Sequence, residues 1–253
     1  MGFGQVEALA QAGLQLAYER LPGAAPTFVW LGGFRSDMAG TKAEALAAWA
    51  RAGGRAFVRF DYAGHGRSEG RFEEQTVSRW LADALAVIDR LTEGPLVLVG
   101  SSMGGWLALL AARERPERVK ALLLIAPAAD FTERLMWAGF DKDMRRRILE
   151  TGRWERPSAY DPEPYAITRQ LIEDGRRHLI MDGPIPFAGP VRILQGGRDP
   201  DVPEAHARAL AELIRSPDLR FDLIADGDHR LSRPQDLERL VSAANALSQQ
   251  LSP

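Results

Sequence analysis

Leu14, Leu16 and Tyr18 alternate with Gln15, Ala17 and Glu19, the period of a strand with one covered face, and the first strand is expected to be an antiparallel edge. Pro22-Gly23 supplies a turn, and Phe28-Val29-Trp30-Leu31 is a continuous apolar run, as in a strand buried on both faces. Thr41 with Glu44 three residues on has the form of a capping box. Ala45, Leu46, Trp49 and Ala50 follow at helical spacing until Gly53-Gly54 closes the helix. A strand over Ala56 to Phe60 leads through a glycine-rich loop to a helix with Trp80, Leu81, Ala84, Ile88 and Leu91 on one face. The next run, Leu96-Val97-Leu98-Val99, ends at Gly100, and helical spacing resumes a few residues later.

Trp106 to Arg113 reads as a helix stopped by Pro116, and Val119 to Ile125 as another buried strand. The alternation lapses between Asp130 and Pro190, where helical patterns are separated by proline-rich and charged segments. Val191 to Leu194 resumes the sheet, Glu204 to Arg215 is helical, Leu219 to Ile224 is the last strand, and Pro234 to Leu251 is a closing helix with Ser232 as its expected cap and Gln235 as return partner. Strands alternating with helices predict an α/β protein with a mostly parallel central sheet covered by helices on both faces. A single domain over residues 1–253 is expected, with a small helical cap inserted at about 130–190.

Composition narrows the partners. Lys+Arg 32 against Asp+Glu 34 leaves a net charge of -2, without the basic footprint that nucleic-acid binding needs. With no cysteine, disulfides, thiolate metal sites and cysteine nucleophiles are all excluded. The first basic side chain is Arg20, so neither a basic n-region nor a transit-type arginine pattern stands at the start, and no apolar stretch approaches the ~20 residues of a membrane span. A soluble, cytoplasmic protein with no membrane span is expected.

The chemistry centres on Gly100-Ser101-Ser102-Met103-Gly104. G-x-S-x-G between a strand and a helix is the pattern of a nucleophile exposed on a sharp turn. A serine hydroxyl is a poor nucleophile, so Ser102 needs a base and an acid to orient that base. In parallel sheets such groups gather beyond the carboxyl ends of the strands. His229 stands just after the last strand and is the expected base; His65 lies in a Gly-x-Gly turn, His206 inside a helix and His178 in the insertion. The loop Gly196-Gly197-Arg198-Asp199-Pro200-Asp201 offers two acids. Asp199 is the expected partner, and Asp201 is closer to the start of the following helix, where it would serve as a cap. Oxyanion donors are expected from the backbone N–H groups of Met103, at a helix N-terminus, and of Phe34, after Gly32-Gly33. The glycine-rich turn has neither dinucleotide nor P-loop spacing, and no histidine pair has metal-ligand spacing, so no cofactor and no metal are called for.

Gly100-x-Ser102-x-Gly104, then Asp199, then His229, in that order, resembles the α/β-hydrolase superfamily, and Asp61-x-x-Gly64-x-Gly66-x-Ser68 looks like a structural loop of the same superfamily. Ser36-x-Met38-x-Gly40-Thr41-Lys42, Arg59-Phe60-Asp61-Tyr62, Gly104-Gly105-Trp106-Leu107, Pro184-Ile185-Pro186 and Asp228-His229-Arg230 are similar to the mitochondrial acyl-protein thioesterase and acyl-glucuronide esterase group. Gly32 stands where many α/β-hydrolases carry a histidine. The resemblance implies a cofactor-free serine hydrolase whose substrate is an ester or thioester, small or carried on an acylated protein. A ligand-binding homologue that turns over slowly or not at all, and a peptidase of the same fold, are the alternatives. Within the insertion, Phe131, Leu135, Met136, Trp137 and Phe140 would either line an apolar acyl slot or pack the insertion onto the sheet. Arg145-Arg146-Arg147 would either meet an anionic substrate or form a solvated helix face.

Overall fold

The computed structural model describes residues 5–156 and 164–251. Its eight-stranded sheet begins with an antiparallel ribbon, β1 (Glu7–Gln11) against β2 (Leu14–Leu21). β3 (Ala24–Leu31), α1 (Thr41–Ala52), β4 (Arg55–Phe60), α2 (Val77–Leu91), β5 (Leu96–Ser101), α3 (Met103–Glu114) and β6 (Val119–Ile125) follow in alternation. After the insertion come β10 (Val191–Gly196), α6 (Glu204–Leu213), β12 (Leu219–Ile224) and α7 (Pro234–Leu251). The strand order is β1-β2-β4-β3-β5-β6-β10-β12, parallel from β4 onward. This is the α/β-hydrolase architecture expected from the sequence.

The central strands bury both faces, which is why they read as unbroken apolar runs. Phe28, Trp30, Val97, Val99 and Leu123 point to one side, where Leu46 and Ala50 of α1 and Leu240, Ala244 and Leu247 of α7 cover them. Val29, Leu31, Leu98, Leu122 and Leu124 point to the other, under Trp80 and Ile88 of α2 and Trp106 and Leu110 of α3. Side chains such as Trp80 and Trp106 are wholly buried, and each contributes roughly 1.5–3 kcal/mol or more of transfer free energy.

The structure corrects four local readings. β2 is not an edge, because β1 pairs along it from Glu7↔Tyr18 to Gln11↔Leu14; β1 carries small and polar side chains with no strong period. The Thr41–Glu44 capping box does not form: Gly40 is the N-cap, with no side-chain hydrogen bond, and Glu44 Oε1 accepts from Arg59 Nη1 at 2.6 Å. Arg59 is almost wholly buried between Glu44 and Glu19, and a buried guanidinium without anions costs several kcal/mol against ~1 kcal/mol for a cap. Ser232 does not cap α7 either; Asp236 reaches back to the Arg233 N–H at 3.1 Å, and the Ser232 hydroxyl donates to the Arg230 carbonyl at 2.9 Å. Finally, Glu204 to Arg215 is not helical throughout, since Ile214–Arg215 forms β11 against β9 (Ile185–Pro186).

The insertion between β6 and β10 is not purely helical. A π-helical turn (Thr132–Trp137) and α4 (Lys142–Thr151) precede a hairpin of β7 (Arg153–Arg156) with β8 (Tyr165–Thr168), and α5 (Arg169–Gly175) follows. Its ends are tied at Asp130, which is fully buried at φ 56° and accepts the N–H groups of Ile180 and Met181, each at 2.9 Å.

Candidate active site

The turn at Ser102 follows from what surrounds it. Ser102 has φ 54° and ψ -118°, a region an L-residue occupies only under constraint, and its N–H and C=O are pinned by Ile125 (2.8 Å) and Ala128 (3.1 Å). A Cβ at Gly104 would stand 2.0 Å from the Leu31 carbonyl oxygen, so only glycine lets α3 descend this close to the end of β3. An N-terminal serine ordinarily caps its helix; here the Ser102 side chain makes no capping bond. It faces His229 instead.

Ser102 Oγ lies 3.1 Å from His229 Nε2, and His229 Nδ1 lies 2.8 Å from Asp199 Oδ2. The carboxylate can only accept, so Nδ1 carries the proton and Nε2 presents its lone pair to the serine hydroxyl. The Asp199 side chain has no solvent exposure and His229 has 17%. Asp199 Oδ1 accepts the N–H groups of Asp201 (2.9 Å) and Val202 (2.8 Å), and Gln195 Nε2 approaches Oδ2 at 3.3 Å. The structure therefore brings together Ser102 from the end of β5, Asp199 from the end of β10 and His229 from the end of β12, and it places Asp201 behind Asp199. Asp199, Asp201 and His229 hold potential metal-ligand atoms within 4.8 Å of one another. The Nδ1 that would have to be bare for a cation already donates to Asp199.

Phe34 belongs to a tight loop after β3. Ser36 closes it by donating from its N–H (3.1 Å) and hydroxyl (2.8 Å) to the Gly33 carbonyl, and Arg35 adopts φ 58°. A Cβ at Gly33 would sit 3.5 Å from Ser102 Cβ, so this loop lies against the serine. Among the described residues the Phe34 N–H has no acceptor, and Met103, first in α3, has no preceding turn to donate to. Both expected donors are thus unspent beside Ser102. The Phe34 ring is packed edge-on against Phe72, Trp80, Phe131 and Tyr165, with centroids 4.9–5.9 Å apart.

Sequence reasoning missed the work of His65. Its Nε2 accepts the Arg35 N–H at 3.2 Å and its Nδ1 faces the Ala63 carbonyl at 3.3 Å, so the neutral ring pins the loop that carries Phe34. Burial pushes its pKa down to about 4, with the nearby Arg35 guanidinium adding to the shift and the Ala63 hydrogen bond opposing it. The Asp61-x-x-Gly64-x-Gly66-x-Ser68 loop was the available signal, since it delivers His65 to that side.

The other candidates are employed elsewhere. His206 Nε2 lies 2.9 Å from the Ala129 carbonyl, and His178 Nε2 is 2.7 Å from Ser78 Oγ, which also donates to Asp174 Oδ1 at 2.7 Å, fastening α2 to the insertion. Met136 and Phe140 are buried, and Phe140 packs between Trp137 (6.2 Å) and Trp154 (5.4 Å). None of Met136, Trp137 and Phe140 lines the cavity of about 230 Å³ beside the Phe34 loop, bounded by Arg35, Asp37, His65 and Phe72, nor a second of the same size between α3 and the 179–187 segment. Arg145 donates to the Trp137 and Ala138 carbonyls, and Arg146 pairs with Asp143 on the exposed face of α4.

A strained strand-turn-helix serine at the centre of a mostly parallel sheet, faced by a histidine from the last strand end, defines an α/β-hydrolase. The family model described as serine aminopeptidase S33 matches residues 29–161. The mouse (Mus musculus) mitochondrial palmitoyl-protein thioesterase ABHD10 is 40% identical over 238 residues, 94% of this chain and 80% of its own length. In solved structures, the mouse α/β-hydrolase domain-containing protein 10 superposes with a TM-score of 0.91 at 38% identity, covering 98% of this chain and 100% of that one. A protein of Agrobacterium vitis S4 gives the same score at 44% identity over 96% and 98%. The chain belongs to the α/β-hydrolase family, in its palmitoyl-protein thioesterase ABHD10 group, and is a hydrolase. The relatives are mitochondrial by name, which overturns the cytoplasmic expectation; charge balance and cysteine usage do not encode an organelle. Among the described residues no helix is long and apolar enough to cross a membrane.

Proposed function

We propose that the chain is a serine thioesterase or esterase that works through an acyl-enzyme. The observation that carries this reading is the line from Ser102 Oγ through His229 to Asp199, 3.1 and 2.8 Å long, at the strained turn. His229 Nε2 takes the hydroxyl proton as Oγ attacks the acyl carbonyl, and the tetrahedral oxyanion is met by the N–H groups of Met103 and Phe34. The bond to sulfur or oxygen breaks, and His229 returns the proton to the leaving group. Water, deprotonated by the same nitrogen, then attacks the acyl-serine and releases the acid. Asp199 holds the tautomer and stabilises the imidazolium throughout.

Palmitoyl-protein thioesterase activity, the name borne by the relatives, is the proposed substrate class: a fatty acyl thioester on a protein or a small carrier. The half-buried Phe34 ring, on the loop that lies against Ser102 and backed by Phe131 and Tyr165, supplies an apolar surface for the acyl chain. The family model's description as an aminopeptidase makes amide cleavage the rival to be measured in the same experiment. Wild type and Ser102→Ala are compared for labelling by a fluorophosphonate and for kcat/KM on thioesters, oxyesters and aminoacyl amides of graded size. Labelling and thioester turnover that vanish in Ser102→Ala, with kcat/KM rising with chain length, are expected. Undiminished turnover in Ser102→Ala refutes the mechanism, and a preference for amides refutes the substrate class.

A further inference from the structure

Lys42 stands in the first turn of α1, the helix into which the Phe34 loop runs, and takes no part in the proton relay. Its Nζ donates to the backbone carbonyl of Arg230, the residue after His229 and 188 positions away in the chain. Behind Lys42 the start of α1 is already fixed: Met38 is buried, and its N–H donates to Asp61 Oδ1 at 2.7 Å at the end of β4. The loop carrying His229 is held by shorter-range bonds, Arg198 N–H to the Gly227 carbonyl (2.8 Å) and Leu231 N–H to Asp228 Oδ1 (2.9 Å). That loop also includes Leu231 at φ 43°, a left-handed backbone that a branched side chain adopts only when its surroundings enforce it. An ammonium donating to a backbone carbonyl is a charge-assisted link, stronger than one between neutral groups, and here it joins the two segments.

We propose that Lys42 is a positioning residue for His229, clamping the loop that bears the imidazole to the helix that follows the Phe34 loop, so that base and oxyanion donors are set against Ser102 as one unit. The inference rests on the Ser102–His229–Asp199 reading above. Displacements of about 1 Å at a reacting pair cost on the order of 100-fold in rate, which is the scale on which such a clamp matters. Asp228 and Arg230 of the loop and Asp236 of α7 face the ammonium. Burial, with Arg230, lowers the lysine's pKa to about 8 against the opposing pull of the two carboxylates. The link is therefore charged at neutral pH and loses its charge through pH 8.

Lys42→Met keeps the aliphatic stem and removes the donor, while Lys42→Arg restores one. kcat and KM on an acyl thioester are measured separately from pH 6.5 to 9.5, with the second-order rate of fluorophosphonate labelling and the Tm. Lys42→Met is expected to lower kcat and labelling about 10- to 100-fold at pH 7 with little change in KM, the scale of losing a hydrogen bond from a charged group, and Lys42→Arg to recover most of the loss. The ratio of wild type to Lys42→Met, which removes whatever pH dependence the two enzymes share, is expected to narrow above pH 8. A lowered Tm with unchanged kcat per labelled site makes Lys42 merely structural and overturns the proposal, as does a ratio constant with pH. If Lys42→Met does not fold, Lys42→Ala, which also removes the donor, carries the same comparison. Ser102→Ala separates the two claims: a wild type that fails to label overturns the serine mechanism, whereas a wild type that labels no faster than Lys42→Met overturns the clamp alone.

Discussion

Asp199→Asn tests the relay at its least exposed member. Oδ1 of Asp199 accepts two backbone N–H groups, from Asp201 and Val202, so in the variant the amide oxygen is held at that position and the NH2 must take the place of Oδ2. There it meets two donors, His229 Nδ1–H at 2.8 Å and Gln195 Nε2 at 3.3 Å. Turning the Gln195 amide over would offer its Oε1, which has no partner among the described residues, but would break Nε2 bonds to the carbonyls of Gly196 (3.1 Å) and Val202 (2.9 Å). The cheaper response is for His229 to move its proton to Nε2 and accept from the asparagine. The imidazole then presents a donor to Ser102 and has no lone pair with which to take the hydroxyl proton. By analogy with other triads the loss is about 10⁴ in kcat, or ~5.5 kcal/mol of transition-state stabilisation. The fold loses only the difference between charged and neutral hydrogen bonds, about 1–2 kcal/mol. Steady-state kinetics on an acyl thioester and urea unfolding of the same preparation separate the two quantities. A fall in kcat below about tenfold in folded Asp199→Asn, or a comparable loss in Asp201→Asn, would refute the reasoning.

Burial holds His65 near pKa 4 in the folded protein against 6.5 unfolded. As pH falls the unfolded chain takes up its proton first, so the stability tied to neutral His65 is complete above pH 6.5, drains between 6.5 and 4, and amounts to about 3 kcal/mol. Urea unfolding from pH 4 to 7.5 should show this slope in wild type and lack it in His65→Gln, and equal slopes would contradict it. Phe140→Ala should cost about 3–5 kcal/mol, because the ring is buried between Trp137 and Trp154, and leave the chain-length profile of kcat/KM unchanged. A shifted profile would make Phe140 part of the acyl slot.

The residues that meet at the centre were legible because their signals are local. Ser102 announces itself by a strand, a glycine-flanked turn and a helix within a few residues of chain, and Asp199 and His229 each follow directly on a strand that alternation with helices had already oriented. Burial on both faces followed from the unbroken apolar runs: Val97 and Leu98 point to opposite faces, and both are covered. The hairpin of β7 and β8 was not legible, since strands of four residues are too short for a two-residue period to declare itself, although Ile167 is buried and Trp154 and Tyr165 pack against the core. β1 escaped for a similar reason. The mitochondrial naming of the relatives lay outside anything that folding physics encodes.

What the sequence could not convey is which polar side chains serve the fold at long range, and the failed capping box shows why. Thr41 and Glu44 satisfied a short-range rule worth ~1 kcal/mol, but Arg59 on the neighbouring β4 had already lost its water and needed anions, a demand several times larger. His65 and Lys42 obey the same hierarchy in the opposite direction. Neither sits in a periodic pattern, yet His65 holds the Arg35 N–H from 30 residues away and Lys42 holds the Arg230 carbonyl from 188. Both bonds end on backbone, where the partner's side-chain identity leaves no trace in the sequence. A site assembled from the ends of β3, β5, β10 and β12 requires four loops to agree in position to a fraction of an ångström. Periodicity places the strands, and cross-links of this kind, from side chain to distant backbone, are what bring the loops between them into register.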